Sequence, residues 1–166
     1  MTRNTRQYTI RVATAVLCAL TTSVLVATEH ESSVADEIKA VIMEGNAYLR
    51  ENLTDQEGGI SQHGSVEFWS SGGLMQWNAP DTAGSTYESF TLKAKHIKVI
   101  ELPGGEAAVA MYYLEGSMQP QGRPAVSHYM TRVTQVFVKE DGAWVARAGH
   151  WSPIAAGSGT SQASVD

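Results

Sequence analysis

Residues 142–154 (GAWVARAGHWSPI) gather Arg147, His150, Trp151 and Ser152 within six positions. These residue types can move a proton, stack on a ring or donate to an oxygen. The same residues also end the last strongly hydrophobic run of the chain, so they mark the end of a core strand as readily as an active site. Other chemistries find no matching pattern. No HExxH, no Cys/His ligand spacing and no carboxylate cluster supports a metal site. Ser70 and Ser71 precede Gly72-Gly73 and form no G-x-S-x-G elbow, which argues against a serine hydrolase. No phosphate loop or dinucleotide fingerprint occurs, and no cofactor is expected. The single cysteine, Cys18, lies in a hydrophobic leader, leaving the body of the chain without a disulfide or a thiol nucleophile.

That leader is residues 1–27. Arg3, Arg6 and Arg11 open it, and 16 uncharged residues follow from Val12 to Ala27, the pattern of a signal peptide. A short membrane anchor is the alternative, since Leu25 is large for a cleavage site ending at Ala27; a membrane is a partner only if the leader is uncleaved. Beyond residue 27 stand 9 basic and 17 acidic residues, a net charge of about −8. Nucleic acid and anionic membrane are therefore not expected partners. An exported chain without disulfides points to the periplasm or the exterior of a bacterium.

The elements that must position any site follow in order. Residues 28–33 are a polar lead-in. Ser33 followed by Asp36 is an N-cap signal, and Val34, Ile38, Val41, Ile42, Gly45 and Leu49 recur at helical spacing, predicting one long amphipathic helix to about Asn52. Strand patterns follow at 66–69 and 74–77, then four longer ones at 87–102, 107–118, 125–139 and 143–152. Asp141-Gly142 is the clearest hairpin turn. A helix packed on an antiparallel meander is an α+β fold, and the Gly/Ser/Ala-rich residues 155–166 form a disordered tail. Apolar residues occur on both sides of the late strands: Val133, Phe137 and Val145 on one, Val136, Trp144, Ala146 and Ala148 on the other. The outer face is thus expected to pack against a second copy in a homodimer.

One helix, a short strand pair and long strands ending in TRVTQVFVKEDGAWVARAGHWSP resemble the nuclear transport factor 2-like superfamily over residues 34–154. The carrying residues are Arg132, Thr134, Val136, Phe137, Asp141, Gly142, Trp144, His150, Ser152 and Pro153. The superfamily includes ketosteroid isomerase, scytalone dehydratase, SnoaL-like polyketide cyclases and the association domain of calcium/calmodulin-dependent kinase. The resemblance implies a cone: a strongly bent antiparallel sheet with the helix over its concave face, around a cavity for a small molecule. Where kinase association domains carry pocket arginines, this chain has Tyr113, Gln135 and Trp151, so a small apolar or aromatic ligand is expected rather than an anion. Met111, Tyr129 and Arg147 share that cavity-side parity.

Isomerase chemistry in this superfamily uses a strand aspartate as base. The matching stretch, VEFWSSGG, has Trp69, Ser70 and Ser71 there, and Glu67 is the nearest carboxylate. Tyr48, late in the helix, stands where isomerases place an oxyanion-donating tyrosine, and Tyr113 is a second candidate donor. Dehydratase-like chemistry would draw on His96, His128, His150, Tyr112, Tyr113 or Tyr129, but parity turns His128 and Arg132 away from the cavity. Two functions therefore stand side by side. One is a cofactor-independent isomerase, dehydratase or cyclase; the other is a non-catalytic binding or homo-oligomeric assembly module.

Overall fold

The computed structural model describes residues 32–154. The expected leader and tail, and residues 28–31 of the lead-in, lie outside the described residues. Helix α1 spans Val34–Asn52. Ser33 caps it, its hydroxyl accepting from the Asp36 amide at 3.2 Å, and Asp36 and Glu37 place negative charge at the positive end of the dipole. It ends where Leu53 turns left-handed at φ 57° and returns its amide to the Leu49 carbonyl.

Seven strands follow: β1 (Ser65–Phe68), β2 (Gln76–Asn78), β3 (Tyr87–Phe90), β4 (Lys93–Glu101), β5 (Ala107–Pro120), β6 (Val126–Glu140) and β7 (Ala143–Pro153). They form one sheet in the order β2-β1-β7-β6-β5-β3, with β4 also paired to β5. The architecture is the expected α+β half-barrel with one helix against a strongly curled sheet. It departs from a pure antiparallel meander at one place, because β1 runs parallel to β7 and so makes the sheet mixed. The chain reaches that position through the 53–64 connection, whose Gly59 and Ser61 bond the Ala146 backbone.

Register rows define the two faces. Glu67, Gly149, Gln135, Ala110 and Val99 lie side by side across β1, β7, β6, β5 and β4. The next inner row carries Trp151, Val133 and Tyr112. This face meets α1, and the core joins Ile38 and Ile42 to Ala108, Ala110, Tyr112, Val133, Phe137 and Trp144. Val66, Ala148, Val136, Val109 and Ile100 form the matching row on the outer face.

Bulges curl the sheet and reassign side chains. The expected single strand over 87–102 is split into β3 and β4, both on β5. Opposite the split, Gly116 has φ 150°, and a Cβ there would lie 2.8 Å from the Thr91 carbonyl oxygen. Only glycine lets the two strands change direction so close to β5. In β4, His96 turns left-handed at φ 54° at a register shift, so Ala94, Ile97 and Val99 all reach the core despite their uneven spacing. In β7, a shift opposite Val136/Phe137 reverses parity: Ala146 pairs with Phe137 and Val145 with Val138. Trp144 and Ala146, expected on the outer face, therefore pack inward, whereas Val136 and Ala148 stay outside as expected. The β6–β7 hairpin turns through Asp141 and Gly142 at φ 51° and 82°, the pair of left-handed residues that a two-residue turn needs. In the early pair the strand expected at 74–77 is shorter and later, and Leu74 and Met75 are exposed.

Candidate functional site

Helix α1 lies chiefly over β4 and β5, where Ile38 and Ile42 fill the inner face. The other half of that face, on β6, β7 and β1, carries the polar and aromatic side chains. Glu67 lies here, only 5 % exposed, accepting from the Ser65 hydroxyl at 2.7 Å. Burial raises its pKa above the ordinary carboxylate value, while bonds from Ser65 and Asn78 pull it down and the charge of Asp55 raises it further. Gly149 separates Glu67 from Gln135 in the row, and a methyl on Gly149 would overlap the Trp151 ring. Trp151 thus leans across the one gap that a residue without a side chain leaves beside Glu67. Trp69 stacks on Trp151 with ring centroids 4.8 Å apart and planes 8° from parallel. Gln135 is held by the Tyr112 hydroxyl, which donates to its Oε1 at 2.6 Å.

Two residues that pattern reading missed join this group. Asp55 accepts from the Ser85 amide at 2.7 Å, and burial raises its pKa. Tyr87 is pushed up to about 12, first by burial and then by the charge of Asp55, with Tyr129 a lesser contributor. Tyr129 in turn donates to the Ser70 hydroxyl. Neither Asp55 nor Tyr87 stands in a recognisable motif. The 53–55 segment reaches the site through a bridge between Thr54 and Thr86 and bonds from Asp55 and Tyr87 amides to Ser85 and Leu53 carbonyls. Gly84 is what permits this approach, since a Cβ there would lie 2.6 Å from that of Asp55.

Of the sequence-derived site residues, Glu67, Trp69, Tyr129, Gln135 and Trp151 come together on the inner face. Met111 and Tyr113 do not. They alternate with the core residues Ala110 and Tyr112 and lie on the outer face, 49 % and 42 % exposed, Tyr113 opposite Arg132. Arg147 also leaves the cavity side, because the β7 parity reversal falls at its position. Its guanidinium donates to the Gly64 carbonyl at 3.0 Å and sits over Trp77, which shares a row with Val66. Tyr48 is 37 % exposed on the flank of α1, beside rather than on its core-facing stripe. His128 and Arg132 are exposed as parity required, and His150 lies outside with its ring edge against Phe68.

A hollow of about 360 Å³ lies at the β5 bulge, among Thr91, Glu115, Ser117, His128 and Tyr129, and borders the inner-face group at Tyr129. Its polar groups are largely committed to one another and to Lys95, through the Thr91–Ser117 and Glu115–Lys95 bonds. It lacks the buried carboxyl and stacked indoles of the inner face, and we place the candidate site on the latter. Among the described residues no group of three histidine, aspartate or glutamate side chains could hold a metal ion.

No curated protein matches this sequence. Among solved structures, a nuclear transport factor 2-like protein from Salmonella enterica serovar Typhimurium is 18 % identical, with a TM-score of 0.51, over 76 % of this chain and 97 % of that one. A candidate Ca/calmodulin-dependent kinase II association domain from Exiguobacterium sibiricum is 14 % identical, also with a TM-score of 0.51, over 73 % and 93 %. At such identities the likeness concerns the fold. The sequence model of the SnoaL-like domain matches residues 32–156, the whole folded body just described. The chain belongs to the SnoaL-like domain family.

Proposed function

We propose that this chain is an exported SnoaL-like domain that binds a small, mostly apolar molecule against the inner face of the sheet and moves a proton on it with Glu67. The observation that carries this reading is a carboxyl 5 % exposed, flanked by the Trp69–Trp151 stack and by Gln135. A carboxyl with a raised pKa is a stronger base once ionised and is poised nearer neutrality than a solvated one. Glu67 as carboxylate would take a proton from a carbon beside a carbonyl of the bound molecule and return it to another carbon, giving isomerisation, or assist loss of a hydroxyl, giving dehydration. The hydroxyls of Tyr129 and Tyr87 are the donors placed to meet the oxygen that gains charge. They replace Tyr113, which faces outward, and Tyr48, which lies on the helix flank. No step calls on a cofactor. Export rests on the basic, then uncharged, residues 1–27.

The test is a thermal-shift and native mass-spectrometry screen with steroid-like, polyketide-like and short acyl compounds. Any hit is then followed by turnover assays of Glu67→Gln and Tyr129→Phe. Turnover at saturating ligand reduced at least a hundredfold in Glu67→Gln is the expected outcome. Full turnover in that variant would remove Glu67 from the chemistry.

The second reading, a homo-oligomeric module, is favoured by the outer face. Ile100, Met111, Tyr113, Met130 and Phe68 are all more than 40 % exposed there, Ile100 in the row of Val109, Val136 and Ala148 and the others in the rows that follow it. The two readings are compatible, since the inner and outer faces are separate surfaces of one sheet.

A further inference from the structure

Glu67 is buried on the inner face, and Asp55, half-buried on the 53–55 segment, lies close enough for its charge to act on Glu67. No ion pair reaches either of them among the described residues. The basic side chains of the surrounding elements are turned to other tasks: Arg147 to the Gly64 carbonyl and Trp77, Arg50 to Asn46 and the Leu92 carbonyl, Lys139 to Glu37, and none of them acts on either carboxyl. The partners of the two carboxyls are neutral hydroxyl, amide and backbone donors from Ser65, Asn78 and Ser85. Around them stand electron-rich ring faces: the Trp69–Trp151 stack and the phenols of Tyr87 and Tyr129.

We infer that the inner face selects an organic cation, an amine or quaternary ammonium group carried on an apolar or aromatic body, with the positive group between Glu67, Asp55 and the Trp69–Trp151 pair. The inference rests on the small-molecule reading above and names the ligand class for that same site. The physical reason is the unbalanced charge. Ionised carboxyls removed from water and left without a counter-charge are costly, and a ligand cation supplies the counter-charge that the protein withholds. Indole and phenol faces attract the same group through their quadrupoles. A neutral ligand of equal shape gains the apolar contact only. An anion meets two like charges and no cationic partner.

The probes are phenyltrimethylammonium, its neutral isostere tert-butylbenzene, and benzoate, titrated calorimetrically into the full chain at low ionic strength and pH 8. We expect the cation to bind at least tenfold more tightly than the isostere, and benzoate least of all. Glu67→Gln and Asp55→Asn should each weaken the cation at least fivefold and leave the isostere unchanged, with folding of both variants checked by circular dichroism.

A second measurement needs no variant. Phenyltrimethylammonium carries no titratable proton, so loss of its binding between pH 8 and pH 4 reports protonation of the facing groups. Those groups are Asp55 and Glu67, because burial raises the pKa of the Tyr87 phenol well away from that range. Equal binding of cation and isostere, or cation binding indifferent to both variants and to pH, would overturn the inference. If the isostere still binds, and loses its binding in Trp151→Ala, the small-molecule reading survives that failure. If none of the three probes binds, the inference falls, and the screen of steroid-like, polyketide-like and short acyl compounds decides the small-molecule reading.

Discussion

Glu67 shows how a single side chain changes meaning between sequence and structure. On a short strand a glutamate usually faces water. Here β1 pairs in parallel with β7, which sets Glu67 beside Gly149 on the inner face and buries it. Its pKa is raised in the folded chain, so its favourable contribution to stability is complete below the unfolded value near 4.5 and is lost as pH rises through the folded value. Glu67→Gln should therefore raise the melting temperature by a few degrees at pH 7.5, with the gain vanishing at pH 4, as followed by thermal denaturation at both pH values. A lower melting temperature for the variant at pH 7.5 would mean that the ionised carboxylate stabilises the fold instead. Glu140 works in the opposite direction. Bonds from the Ser61 hydroxyl at 2.6 Å and the Gln62 amide at 2.8 Å hold its pKa down, so the clasp it forms on the 61–62 turn is present above its unfolded value and is lost as pH falls through the folded one.

At the scale of elements, α1 is the piece that turns a curled sheet into a closed core. Ile38 is wholly buried where the helix meets β4 and β5. Ile38→Ala should cost about 2–5 kcal/mol, the usual range for truncating a fully buried aliphatic side chain, measured by urea denaturation. Gly116 is the matching point in the sheet. Gly116→Ala puts a methyl against the Thr91 carbonyl at a φ of 150°, and the variant should be less stable than Ser117→Ala, whose parent side chain lies beside the same bulge and forms a bond to Thr91. The helix and the Asp141-Gly142 hairpin were legible beforehand because caps, turns and helical spacing are local signals. The splitting of 87–102, the His96 bulge and the parity reversal in β7 were not. A bulge is decided by what lies across the ladder, and one extra residue moves every later side chain to the other face.

For the whole molecule, the two faces of one sheet make separate predictions. The outer rows of Ile100, Val109, Val136, Ala148 and Val66, beside Lys98, Met111, Thr134, His150 and Phe68, form a continuous apolar strip with few charges. Burial of that strip against a second copy predicts a dimer by sedimentation velocity at micromolar concentration, shifted to monomer by Met111→Glu combined with Val136→Lys. A monomer in the parent chain would leave the outer face without that role. By itself the sequence determined the helix and its N-cap, the order of the last three strands, the last hairpin, the family likeness and the absence of cysteine from the body, because each depends on residue type and short spacing. Only the tertiary structure decided that Glu67 is buried, that Asp55 and Tyr87 belong to the same site, and that Met111, Tyr113 and Arg147 do not. Those outcomes depend on which strands pair, in which direction, and where a bulge shifts the register, and these are set by contacts between residues tens of positions apart.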